Sequence, residues 1–337
     1  MKHAVSIATL ILPLLLQAAD PVFVLPTPNR SLFDHTEEGN QSFFAPTTSG
    51  IWQSGRYGCT RTSGWQFHEG IDILHTQRDR RGEPTDPIYA AADGIICYVN
   101  DNSGLSNYGR YLILGHKIEG IEVYTLYAHL NQIEPGVVLG RKVLAGATLG
   151  RMGRSSNAAG IAKYRAHLHF EIAMVINEHF DHWFAQRKPG QTNDHGPWNG
   201  RNLIGLDPED IYKEQSKLGS QFSLLKYIQE QETYFTVLTT AGDFPWIKRY
   251  SALMQPSDTN TDQAYEISFN AYGLPTRYRC VELPAESPSQ GWKLIQVNEA
   301  IHKAYKCSKK ITGKPGAYRL TKTANEWLDL LTYRMTP

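Results

Sequence analysis

Three short runs place histidines and acidic residues at spacings suited to metal chemistry. The first is "FHEGID", Phe67 to Asp72. Read as His-Glu-x-x, it would open a metal-binding helix with Glu69 as general base. The second histidine of H-E-x-x-H would then fall at position 72, where Asp72 stands. Gly70 and Ile71 are also poor helix formers. Read as His-x-x-x-Asp, the run offers two ligands, His68 and Asp72. On a straight strand, positions four apart lie ~13 Å apart. Two donors on one zinc must lie within a few ångströms, because the bonds are only about 2 Å long. The chain must therefore bend between them, and Gly70 is the residue that permits it. The second run is "AHLHFEI". A strand has a side-chain period of two, so His167, His169 and Glu171 share one face, over an apolar face of Leu168, Phe170 and Ile172. His68, Asp72 and His169 then form a set of two imidazoles and one carboxylate, with a fourth position for water. Zinc there would acidify the water and polarise a carbonyl oxygen. The proton acceptor and the stabiliser of a tetrahedral intermediate are sought in His167 and in His129 of the third run, "YTLYAHL". Ordinary structural histidines are the alternative reading of that pair.

These residues need short strands to hold them. From about Phe43 to Tyr212, "PIYAAADGIICYVN", "RYLILGHK", "IEVYTLYAHL" and "HLHFEIAMVI" are β-rich and broken by glycine. Close spacing of short strands predicts antiparallel sheet. The stretch "EPGVVLGRKVLAGATLGRMG" adds brief strands and tight turns. Residues 20–42 read as an extended lead-in, and the polar stretch 213–222 as a linker. Beyond it, "AYEISFNAYGLPTRYRCVEL" predicts a hairpin around Tyr272 to Pro275. "GWKLIQVNEAIHKAY" and "RLTKTANEWLDLLTY" carry apolar residues near helical period. Residues 223–337 are thus expected to form a small α+β domain after a mainly β one.

With 337 residues, 41% hydrophobic and 20% charged, the chain can bury one large core or two ordinary ones. A net charge of +1 gives no electrostatic reason to expect capture of nucleic acid or an anionic membrane surface. Residues 1–19 combine Lys2, an apolar stretch and the small residues Ala18 and Ala19. This is the pattern of a signal peptide, shorter than the roughly 20 apolar residues of a span, with an N-terminal membrane anchor as the alternative. A secreted, periplasmic or cell-envelope location follows, with no stable membrane insertion after cleavage. Export would let the four cysteines form disulfides. The simplest pairing is local, Cys59 with Cys97 and Cys280 with Cys307; free thiols are the alternative.

The ordered set "HEGID", "YAHL" and "HLHFEI", with "IEPGVVLGRKVLAGATLGRMGRS" between them and "GLDPEDIY" after, resembles the M23 metallopeptidases, the LytM and lysostaphin-like cell-wall endopeptidases. The resemblance covers about Gly55 to Tyr212. It implies an antiparallel β core of the LytM/M23 type over residues 43–212. It implies one Zn2+ per chain on His68, Asp72 and His169, with His129 and His167 activating water and stabilising the oxyanion. Glu69 has no catalytic counterpart in the family. The expected activity is a secreted zinc endopeptidase cutting peptide bonds in peptidoglycan stems or cross-links. A non-catalytic activator of a cell-wall amidase is the alternative, disfavoured because all five key positions are filled. An unrelated metal- or carbohydrate-binding module is a third reading, set aside by the ordered motifs. The segment between "HLHFEI" and "GLDP" is longer than a minimal member needs. Its His179, His182, His195, Trp183 and Trp198 are read as solvent-exposed loop residues, with lining of the groove as the alternative. The longer run "RSSNAAGIAKYRAHLHF" would reshape one groove wall. His75 and His116 are read as structural. The C-terminal domain resembles nothing named, and a cell-wall or protein partner is expected there.

Overall fold

The computed structural model of the chain describes residues 22–157, 160–240, 242, 244–257, 264–282 and 291–335. The expected signal segment, residues 1–19, lies outside the described residues. A helix α1 (Glu37–Phe43) precedes three short strands, β1 (Gly58–Arg61), β2 (Gln66–His68) and β3 (Ile71–Leu74). Then come β4 (Pro87–Tyr89), β5 (Gly94–Asn100), β6 (Arg110–Ile118), β7 (Ile121–Leu130), β8 (Gln132–Ile133), β9 (Lys142–Val143) and β10 (Thr148–Arg151). The first half closes with β11 (His167–Val175), α2 (Phe180–Arg187) and β12 (Leu203–Leu206).

The main sheet is antiparallel and has seven strands, in the order β12-β11-β7-β6-β5-β9 with β3 also paired to β11. β11 is buried along its whole length. β7 takes one of its edges. β3 pairs with residues 167–170 on the other edge, and β12 with residues 172–175. The chain passes between β3 and β12 at Glu69-Gly70, and this crossing explains the glycine. A Cβ at Gly70 would lie 2.2 Å from the Phe170 carbonyl oxygen. Gly70 does not adopt a left-handed φ, so close approach, not a special bend angle, excludes a side chain here. Gly70→Ala is expected to destabilise the fold by about 1–3 kcal/mol, the usual cost of overpacking. An unchanged urea midpoint would contradict this.

The second half contains α3 (Pro208–Leu218), α4 (Leu224–Gln229), β13 (Phe235–Thr239), α5 (Pro245–Arg249), β14 (Ala264–Phe269), β15 (Pro275–Val281), β16 (Trp292–Val297), α6 (Glu299–Ala304) and α7 (Lys322–Thr332). Its four strands pair in the order β15-β14-β13-β16. The chain is therefore mainly antiparallel β with a small α+β C-terminal part, as the strand spacing predicts. One continuous core joins the halves, with Ile71, Phe170, Tyr212, Leu224, Val237 and Leu328 in a single cluster.

Several expectations are corrected. The polar stretch 213–222 is no open linker: residues 213–218 finish α3, and the buried Gln215 accepts from the Phe23 amide and donates to its carbonyl. Its polarity is that of a helix's solvent face. The lead-in contains α1, capped by the Thr36 side chain, so it is not extended throughout. The run "WKLIQV" is the strand β16, and helix begins only after the Asn298 cap. Cys59 pairs with Cys307, 248 residues away, and Cys97 and Cys280 carry thiols. Local pairing fails because chain proximity does not set spatial proximity across a shared core. The long segment after β11 is only partly exposed loop: His182 is exposed, but Trp183 and His195 are buried. It forms α2, which buries Phe180, Trp183 and Phe184 against the C-terminal half, where Trp183 Nε1 donates to Asp329.

Candidate metal centre

β2 and β3 are extended, so no helix runs through His68 and Asp72. The H-E-x-x-H reading is therefore excluded by geometry. His68 ends β2, and Asp72 lies on β3 directly opposite His169 of β11. Three atoms converge there. His68 Nε2 lies 3.1 Å from His169 Nδ1 and 3.2 Å from Asp72 Oδ1, and His169 Nδ1 lies 2.9 Å from Asp72 Oδ1. Donors on a tetrahedral zinc with bonds near 2.0–2.1 Å stand about 3.3 Å apart. This near-equilateral triangle fits that requirement, and all three residues are buried.

Each imidazole gives its other nitrogen to a fixed acceptor. His68 Nδ1–H donates to the Arg56 carbonyl at 2.8 Å, and His169 Nε2–H to Glu171 Oε1 at 2.9 Å. Such outer partners set which ring nitrogen is left for a metal. Tyr108 Oη donates to the same Glu171 oxygen at 2.8 Å, and Arg61 Nη2 donates to Asp72 Oδ2 at 2.6 Å. Asp72 is thereby left one oxygen, Oδ1, in the triangle.

His129 and His167 stand beside this group, their ring centroids 4.9 Å apart. His167 Nδ1–H donates to the Arg165 carbonyl at 2.6 Å, and His129 Nδ1–H to the Ser155 carbonyl at 2.9 Å. In each ring Nε2 keeps its lone pair. His129 has φ 62°, a left-handed conformation that a non-glycine residue adopts at a cost. Asp72, His129, His167 and His169 line a groove of about 490 Å³, together with Arg61, Phe67, Glu69 and Tyr108; His68 is enclosed behind it.

Residues 66–181 match Peptidase family M23. They form an M23 domain. The match spans all five histidine and aspartate positions. Among solved structures, the chain is similar to a zinc-containing peptidase from Vibrio cholerae, with 27% identity over 32% of this chain and 26% of that one and a TM-score of 0.24. It is also similar to the catalytic domain of a prophage-encoded M23 protein from Enterococcus faecalis, with 25% identity, 39% and 79% coverage and a TM-score of 0.27. The catalytic domain of the antimicrobial peptidase lysostaphin from Staphylococcus simulans gives 22% identity, 41% and 85% coverage and a TM-score of 0.26. The chain thus spans about a quarter of the Vibrio peptidase. No curated protein matches the chain.

Electrostatics in the M23 domain follow from burial and pairing. Burial pushes the Asp72 carboxyl up, yet the charges of His68 and His167 and the hydrogen bonds from His169 and His68 hold it well below its usual range. Burial lowers His68, His129 and His167. For His169 burial is outweighed by Asp72 and Glu171, which raise it to about 10. The metal-free protein therefore keeps a proton on His169 through neutral pH, and a cation must displace it. Because the folded value is raised, apparent zinc affinity should rise with pH, about tenfold per unit between roughly pH 7 and 9, with one proton released per ion. Calorimetry in buffers of different ionisation enthalpy reads that proton; its absence would show that His169 binds no metal through Nδ1.

The other described histidines lie apart from the triangle. His116 bridges the Asp93 carbonyl and Thr125, and His75 contacts the Ala166 carbonyl. His182 contacts Tyr333, and His179 stands beside Glu178. Trp183 is in the core and Trp198 packs on Tyr124. His195 pairs with Tyr98 and lines an adjoining cleft that shares Asn107 and Tyr108 with the groove. Arg61 and Tyr108 escaped the sequence reading, as no local pattern marks them. Glu171 was visible in the H-x-H-x-E alternation, though its role was not.

Proposed function

We propose that this chain is a zinc-dependent endopeptidase acting on peptide bonds in peptidoglycan stems or cross-links. One observation carries the reading: a three-donor triangle opens onto a groove that His129 and His167 also line, with His167 Nε2 3.5 Å from Asp72 Oδ1. His68 Nε2, Asp72 Oδ1 and His169 Nδ1 would hold one zinc ion. When bound, zinc acidifies a water and polarises a carbonyl oxygen.

The chain's own residues do the rest. The groove seats an extended peptide across the buried donors. His129 and His167, lowered by burial, are neutral at pH 7 and accept a proton at Nε2. One, neutral at Nε2, takes the proton of the attacking water and passes it to the leaving amine; the other must first take a proton from solvent at Nε2, which it then donates as a hydrogen bond to the developing oxyanion. The Cys59–Cys307 disulfide supports an oxidising, extracytoplasmic location. Among the described residues no helix is long and apolar enough to cross a membrane.

Purified protein incubated with peptidoglycan, with and without chelator, tests the proposal by mass spectrometry of released muropeptides. Chelator-sensitive release of fragments cut at a peptide bond is expected. Zinc binding without any cleavage would instead favour the amidase-activator reading.

A further inference from the structure

Among the described residues, the C-terminal half contributes no side chain to the metal triangle or its groove, yet it grips both strands that carry the histidine ligands. β1 and β2 form a two-stranded pair outside the main sheet. Such a pair is marginal on its own. It nevertheless carries Arg61, which holds Asp72, and His68, a member of the triangle. Its support comes from far along the chain. Cys59 is bonded to Cys307. The Tyr272 ring sits 4.9 Å from Tyr57 and 5.2 Å from Phe67, with Tyr305 at 5.5 Å behind it. A Cβ at Gly58 would lie 2.4 Å from Tyr272 Oη, and Gly58 is the direct cross-strand partner of His68. Lys306 Nζ lies 5.6 Å over the Trp65 ring in the turn between β1 and β2.

The second grip is on β11, which carries His167 and His169. Tyr250 Oη accepts from the Val175 amide at 3.0 Å and donates to its carbonyl at 3.1 Å. Asn177, just beyond, donates to the Leu330 and Tyr333 carbonyls at 2.8 and 2.9 Å. Asp329 of α7 accepts from Trp183 and Arg187 of α2.

We infer that residues 223–335 are an intramolecular clamp for the metal centre, with the Cys59–Cys307 disulfide and Tyr272 holding the β1–β2 wall so that Arg61, His68 and Asp72 keep their places. The inference rests on the zinc reading above. The physical reason is preorganisation: a metal site loses affinity when the shell supporting its ligands loosens. The disulfide ties β1 covalently to the C-terminal half, so the wall cannot move away without carrying Cys307 with it.

The test compares the full wild-type chain with a Cys59→Ser/Cys307→Ser double variant and with Tyr272→Leu, which keeps the disulfide. Zinc affinity is measured against a chromophoric chelator, below the unfolding temperature of each. Hydrogen exchange of residues 58–74 is followed in the metal-free proteins. Zinc dissociation constants are expected to rise about 10- to 100-fold, the range seen when outer supports are lost, and exchange of 58–74 to quicken. A merely stabilising domain would lower the melting temperature while leaving zinc affinity unchanged, and that result overturns the clamp. Should the double variant fail to fold, Tyr272→Leu decides by the same criteria. Should the wild type bind no zinc, the enzyme reading falls, and unchanged or faster exchange in 58–74 separately refutes or supports the clamp.

Discussion

Asp72→Ala is expected to abolish stoichiometric zinc binding and, with it, hydrolysis of peptidoglycan. Asp72 does two jobs at once. Its Oδ1 is one corner of the donor triangle, and its Oδ2 takes the charge of Arg61. Alanine leaves two imidazoles facing an unpaired guanidinium, which repels a cation. Loss of an outer partner in a metal site typically costs 10–100-fold in affinity, so loss of this direct donor is expected to cost more than about 100-fold. Metal analysis of dialysed protein should read close to one zinc per chain for wild type and near zero for the variant. Glu69→Gln is the matched control three residues before it. The Glu69 side chain lines the groove without joining the triangle, and this variant should keep its zinc and most activity. Equal loss in both would overturn the assignment of roles.

The second large effect is expected from His129, with the metal retained. Asparagine is the informative substitution, because it tolerates the left-handed φ of 62° better than other side chains while lacking a basic nitrogen. His129→Asn should keep one zinc per chain and lower the cleavage rate by about 10²–10⁴-fold, the usual contribution of a positioned general acid–base. The strained backbone persists because β7 ends here, with the His129 amide donating to the Tyr108 carbonyl and the ring to Ser155. A rate within about threefold of wild type would remove His129 from the proton-transfer role. It would leave His167 to act alone, an outcome at odds with two burial-lowered imidazoles facing one groove.

How much of this was legible beforehand differs from residue to residue. His167 and His169 could be placed on one face from the strand period alone, and β11 does present them so. Gly70 could be singled out, and the chain does bend at Glu69-Gly70, though without a left-handed φ. Its lack of a side chain serves the passage of the chain against Phe170, a contact made with residues a hundred positions away. The same holds for Arg61 and Tyr108. Both act through contacts that sheet pairing creates, and neither has a periodicity or neighbour that would announce it.

Strand periodicity and the order of short motifs were thus enough to point to an antiparallel M23 domain and to select which of twelve histidines to examine. Local chemistry and side-chain alternation are properties of neighbouring residues, so a sequence carries them directly. Tertiary structure alone decided the disulfide partner of Cys59, the burial of α2, and the reach of the C-terminal half to both ligand strands. These depend on which distant surfaces share one core, and only the folded chain brings such surfaces together. "FHEGID" carries both kinds of information. Its donors are written in the residues, but their approach to within about 3 Å is made by β11 crossing beside them.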